Sequence, residues 1–201
     1  MKQKTIPLNG VTVLLGQAEL PAASLPEGES LTQMEEKSHV DPFLSMKQNA
    51  NYYKMTMPPE KAARFDELIK LSGLRRREKW ERPFRKDMTG EKLLWRIMLT
   101  FLLEPGPLLL PHPLRGMTAE QRERFDALLA DEAEHGRAIV FTADGLKEIA
   151  PLMAPKTVCF AAGEDFLVYT PEEIAARREA LGGEKISDED LAVILAEVDH
   201  A

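Results

Sequence analysis

The chain has one cysteine, Cys159, in 201 residues. A lone cysteine forms no internal disulfide, so nothing points to an oxidising compartment, and its place in the apolar run VCF suits a small buried hydrophobe. Long apolar runs are missing too. The most membrane-like stretch, LLWRIMLTFLL at 93–103, is about half the length that spans a bilayer and carries Arg96. The patch at 11–15 that follows Lys2 and Lys4 is too short for a signal peptide and lacks a small-residue cleavage site. A basic excess is also absent. The net charge of -7 excludes a general nucleic-acid binder and leaves room only for a local basic patch. There are no repeats and no low-complexity tract. The expected compartment is the cytoplasm.

What is present suits one domain, or one with a small lobe: 44% hydrophobic and 29% charged residues can bury a sizeable core. VTVLL at 11–15 reads as a buried strand closed by Gly16. Residues 17–38, with Pro21, Pro26 and Gly28, read as loop. Over 59–74, Phe65, Leu68 and Ile69 follow helical spacing, Ser72 interrupts the face and Leu71 extends it. A helix over 90–103, with Leu93, Leu94, Ile97, Met98, Phe101 and Leu102 as core and Trp95 as core or interface, stops at EPGP. Next comes a strand at 107–110. Thr118 and Gln121 form a capping box for a helix carrying Phe125, Leu128 and Leu129, which Gly136 ends. IVFT at 139–142 completes a strand–helix–strand unit whose strands should be parallel. Strands at 158–160 and 166–169 suggest a hairpin around Gly163. Thr170, Pro171 and Glu173 open a helix, and Ser187 caps a last one with Leu191, Ile194, Leu195 and Val198.

Few single residues stand out. His112, held between Pro111 and Pro113 at the end of a buried strand, sits where α/β proteins keep their chemistry. It reads as a turn residue rather than a metal ligand, since His39, His135 and His200 have no ligand spacing to it and metal sites usually need three or four ligands. Asp144 reads as a helix N-cap before Gly145. The run Arg75, Arg76, Arg77, Lys79, Arg82, Arg85, Lys86, with Trp80 and Phe84 between, is diluted by Glu78, Glu81 and Asp87. It ranks as a solvated face first, a partner contact second and a nucleic-acid site last.

The order of pieces resembles the nucleotide-binding subunit of an ABC transporter. MTGEK at 88–92 is similar to that family's signature, LLEP at 102–105 to its "leu-glu-pro" phrase, and LLLPHP at 108–113 to its Walker B strand. LRGMT at 114–118 and GRAIVFTAD at 136–144 continue the series, with the spacings from Glu91 to Pro111 and from Pro111 to Asp144 free of insertions; EDFLVYTPEEI at 164–174 is similar to the family's terminal hairpin and the helix after it, and LSMKQNANYY at 44–53 to the start of the helical lobe. The resemblance implies an α/β fold, a truncated P-loop NTPase core of ABC ATPase type with a helical lobe. It implies a single domain over 1–201: core at 1–43 and 105–170, helical lobe at 44–104, carboxyl-terminal helices at 171–201.

The resemblance also implies what has been lost. ATP hydrolysis needs amides and a lysine around the phosphates, carboxylates for magnesium and water, and a polar group on the γ-phosphate. At the aligned positions stand Pro21, Ala22 and Ala23 in the phosphate loop, and the helix after it is almost wholly deleted. Pro111 and His112 replace the two carboxylates. Thr118 replaces the D-loop aspartate and Asp144 the switch histidine; the Q-loop glutamine falls near Asp41. Only a weak signature remnant, Thr89, Gly90 and Glu91, stays near the family's cofactor-contacting residues.

The expectation is therefore a pseudo-ATPase with no catalytic residues, no metal site, and no bound ATP or magnesium. It would be a cytoplasmic scaffold or regulator, paired with a catalytic ABC ATPase subunit or held on the inner face of the membrane by a permease, as a hetero- or homodimer. The remnant could still complete a partner's ATP site weakly. Two alternatives stay open: a stand-alone regulatory or small-molecule-binding protein, and an enzyme with a reshaped cleft using His112, Asp144 and Cys159.

Overall fold

The computed structural model describes all residues except 1, 17–19, 21–23, 36–39, 84–87, 150–151, 153–155, 163–164 and 181–201. In chain order the elements are β1 (Lys2–Gln3), β2 (Val11–Leu15), β3 (Thr32–Gln33), α1 (Met46–Thr56), α2 (Pro59–Leu71), α3 (Arg77–Trp80), α4 (Thr89–Leu103), β4 (Leu108–Leu110), α5 (Ala119–Glu134), β5 (Ile139–Ala143), α6 (Leu146–Ile149), β6 (Lys156–Ala162), β7 (Asp165–Tyr169) and α7 (Pro171–Ala180). They divide into two compact units. One comprises residues 1–33, 106–114 and 133–201, the other 34–105 and 115–132.

The first unit is a seven-stranded sheet in the order β1-β7-β6-β2-β5-β4-β3. β2 lies at its centre and pairs in parallel with β5 on one side and β6 on the other. Every residue of β2 and of β5 is buried. That is why both read as continuous apolar runs rather than alternating strands: both faces of the sheet are covered. β4 joins β5 in parallel, with Leu108 opposite Ile139 and Leu110 opposite Phe141. β6 and β7 form the expected antiparallel hairpin; its turn residue Gly163 lies outside the described residues. Ile6, Leu14, Val140, Cys159, Phe166 and Val168 form a core cluster, and Leu20, Leu25 and Leu31 pack on it half-buried. These leucines lie in the segment expected to be loop. Among its described residues the segment holds no α-helix, but it does hold β3, a two-residue strand too short to leave a periodic signal.

The second unit is helical. Tyr53 of α1, Phe65 of α2 and Trp95 of α4 pack at 5.7–6.2 Å between ring centroids in edge-on or tilted geometry. Trp95 is fully buried and so belongs to the core, whereas Leu93 is only half-buried. The face of α2 runs through Ser72, not Leu71: Ser72 is 2% exposed and Leu71 half-buried. Ser72 can be buried because its hydroxyl donates to the Ile69 carbonyl at 2.9 Å. α1 has a polar sequence and no strong apolar period. Its start is instead set by a capping box, with the Gln48 amide donating to the Ser45 hydroxyl and the Ser45 amide to the Gln48 carbonyl. Ser187 and the last helix expected from sequence lie outside the described residues.

Arg64 on α2 ties that helix to α5 by bonding both Asp131 and Glu132, the latter 4% exposed. Burial works against its charge, but the two carboxylates outweigh burial and raise its pKa. Arg64→Ala leaves Glu132 buried without this counter-charge. The expected loss is about 3 kcal/mol in urea unfolding. A loss below about 1 kcal/mol is the result that contradicts a stabilising tie.

Candidate functional site

Parallel strands end on the same edge of a sheet, and α/β folds place ligands there. In the first unit that edge is built by Gly16 after β2, Pro111–His112 after β4 and Asp144 after β5. Gly16 has φ of +75°, with open space where a Cβ would project, so backbone conformation alone favours glycine. Its amide donates to the Ala143 carbonyl at 3.1 Å, so this first loop amide is spent on the sheet and not left for an anion. The phosphate-loop positions Pro21, Ala22 and Ala23 lie outside the described residues. Further on, the Glu29 amide donates to the Pro26 carbonyl at 3.0 Å, with Gly28 at φ of +82°, the geometry of a type II turn.

His112 is the one non-glycine residue described with positive φ, at 42°. Such a conformation costs about 1–2 kcal/mol, so neighbouring structure must hold it. The His112 amide donates to the hydroxyl of Thr142, a β5 residue only 2% exposed, at 2.8 Å. The imidazole is 18% exposed. Its Nδ1 is buried, makes no hydrogen bond, and faces Asp144 Oδ1 at 3.5 Å, within ion-pair reach. Two of the residues grouped in the enzyme alternative are thus close together. The Asp144 amide donates to the Glu148 carboxylate at 2.8 Å, two residues ahead of α6.

Cys159 stands on β6 in the core cluster, and burial pushes its thiol up to about 12. It is therefore not the nucleophile that the enzyme alternative included. Among the described residues no three or more His, Cys, Asp or Glu side chains gather as a metal site.

The signature remnant lies in the second unit. Thr89 is exposed at the start of α4, and Met88 before it supplies no side-chain cap. Gly90 is buried, and a Cβ there would stand 2.1 Å from Gln121 Oε1. Gln121 is fixed in its turn, because its Oε1 accepts from the Thr118 amide at 2.9 Å while its own amide donates to the Thr118 hydroxyl at 3.3 Å. Glu91 is 8% exposed and bonds Lys79. Packing and pairing inside the unit thus account for both matching residues, and Thr118 is occupied as a helix cap. Asp41 has a comparable local role: its carboxylate accepts from the Phe43 amide at 2.9 Å and its own amide donates to Asn49 at 2.8 Å.

The basic run is partly neutralised, with Arg76 paired to Glu120 and Lys79 to Glu91. Phe84, Arg85, Lys86 and Asp87 lie outside the described residues. No described helix is long and apolar enough to cross a membrane.

No family model and no curated protein matches the chain in sequence. Solved structures do match in shape. CbiO1 from Clostridium perfringens, part of the ABC transporter complex cbiONQ, superposes with a TM-score of 0.58 at 19% identity, over 86% of this chain and 81% of that one. The chain has an ABC ATPase-like fold. The mixed sheet and helical unit of this ABC-like fold agree with the class expected from sequence.

Two predictions test these assignments. Gly90→Ala should displace Gln121 from its box with Thr118 and cost about 1 kcal/mol. Added to Gln121→Ala it should cost almost nothing further, because the obstacle is gone. An additive double variant in urea melts refutes the packing role. For Cys159, the unfolded thiol ionises near the ordinary value of 9.0 while the folded one waits until about 12. Above pH 9 the folded state therefore binds the extra proton, and its stability should fall as pH rises toward 12. Cys159→Ala should flatten that slope; an unchanged slope assigns the alkaline loss to other groups.

Proposed function

We propose that the chain is a non-hydrolysing ABC-type subunit, a scaffold or regulator of a transport complex that pairs with an active ATPase subunit or docks on a membrane permease. One observation carries the reading. The sheet edge where an ATPase of this fold requires carboxylates presents Pro111 and a conformationally held His112 instead. Neither side chain can replace a magnesium carboxylate together with a second carboxylate that orients water. Gly16 spends its amide on the sheet, which further weakens a phosphate cradle. The solved neighbour that belongs to a transport complex supports an assembled role, and through such a permease the chain would sit on the inner face of the membrane. Because Gly90 and Glu91 are held within their own unit, the remnant contributes at most weakly to a partner's ATP site.

The decisive experiment is recovery of the chain from native cells under mild detergent, followed by identification of what accompanies it. An ATPase subunit or a permease is expected; a monodisperse chain with neither sinks the proposal. Purified chain should release no phosphate from magnesium–ATP. A magnesium-dependent rise in Tm with ATP overturns the claim that nucleotide binding is lost.

The approach of His112 to Asp144 favours a second reading, an enzyme with a reshaped cleft at the same edge. It predicts an activity against small-molecule substrates that His112→Ala abolishes and His135→Ala leaves intact.

A further inference from the structure

We propose that the exposed face of α1, with the turn that leads into it, is the surface through which two copies of this chain pair about a two-fold axis. Of the four large apolar side chains exposed among the described residues, three lie there: Phe43 at 89%, Met55 at 86% and Tyr52 at 65%. Gln48, Tyr52 and Met55 follow at i, i+4 and i+7 along one side of the helix, and Phe43 stands in the turn before the Ser45 cap. Aromatic residues and methionine are the side chains in which interface cores are enriched. These are also held in place. Asn49, buried, donates to the Asp41 and Ser45 carbonyls at 3.0 and 3.1 Å and accepts from the Asp41 amide at 2.8 Å. The Phe43 amide donates to the Asp41 carboxylate at 2.9 Å, so the turn that presents Phe43 is fixed. Tyr52 meets Tyr53 edge-on at 6.2 Å, and Tyr53 belongs to the aromatic centre of the unit. A fixed turn and an anchored ring lose little freedom on association.

The charge pattern selects a second copy as the occupant. In a two-fold contact a face meets itself, so a net charge on it repels its own copy. The exposed residues of α1 are Lys47, Gln48, Asn51, Tyr52, Met55 and Thr56. Lys47, the one charged residue of these, pairs with Glu81 at 2.9 Å, and Lys54 beside them pairs with Asp66. Asp41 and Arg82 flank the amino end of the helix with one charge of each sign. The face is thus neutral in a chain whose net charge is -7, and two acidic chains can meet on it without like-charge repulsion at the contact. A face made for a strongly charged partner would carry an excess of the opposite sign. Three such side chains expose roughly 450 Å² per copy. With the polar residues between them, a pair buries about 1,000–1,200 Å², the lower end of specific interfaces.

The test is sedimentation velocity of the purified full chain over concentrations from about 1 to 200 µM, where a reversible monomer–dimer equilibrium with Kd on the order of 10 µM is expected. Tyr52→Glu puts a like charge on both copies and should raise that Kd about tenfold or more. Phe43→Ser removes an anchor from the turn and should weaken pairing in the same direction. Both positions are exposed, so urea unfolding of either variant should match that of the unaltered chain. A chain that stays single at every concentration overturns the contact and leaves the face to a partner of another kind. A dimer that both variants leave unchanged overturns it as well, because pairing then runs through another surface.

Discussion

Everything at the proposed site depends on the parallel ladder that joins β2 to β5 and β6. Parallel pairing forbids a tight hairpin between neighbours and forces each strand to run the same way. The ends of β2, β4 and β5 therefore arrive at one edge whatever residues occupy them. Val11–Leu15 and Ile139–Ala143 pair residue for residue along that ladder, and every one of these side chains is buried. The position of the site is thus set by strands whose own residues do no chemistry. Pro111, His112 and Asp144 inherit their places, and Thr142 links the two levels by turning its buried hydroxyl to the His112 amide.

The helical unit is held by a different balance. Aromatic rings from α1, α2 and α4 form its centre, and Arg64 fastens α2 to α5 through two carboxylates. The first is nondirectional and tolerant; the second is directional and costly to disturb, because Glu132 has left water. The unit therefore has a packed interior of its own.

Much of the framework was legible in the sequence, for identifiable reasons. β2, β4 and β5 announced themselves as short apolar runs, and α4 as an apolar helix stopped by Pro105 and Pro107. Thr118–Gln121 and Thr170–Glu173 formed their capping hydrogen bonds as spaced. α1 was not read because its polar sequence hides its period, although Ser45 and Gln48 carried the same kind of signal. β3 is too short to have a period. Ser72 misled because a serine on an apolar face looks like an interruption until its bond to Ile69 is known. At the site, the sequence singled out His112 and Asp144 but could not show their mutual approach or the left-handed backbone. Those depend on register across β4 and β5, which one strand alone does not encode.

The matching signature residues sharpen how such a motif should be weighed. A glycine kept at a familiar position invites the inference that its old ligand is kept as well. Here Gly90 answers to Gln121, which leaves no room for a Cβ, and Glu91 answers to Lys79, which supplies its counter-charge. A residue with a sufficient internal reason to stay carries little information about a ligand outside. The proposed reading rests more on Pro111 and His112 at the sheet edge. The β4–β5 ladder and the bond from the His112 amide to Thr142 fix where Pro111 and His112 stand through the backbone. On the proposed reading, an uncharged pair at the end of an intact parallel ladder bears on function more directly than the matching residues do.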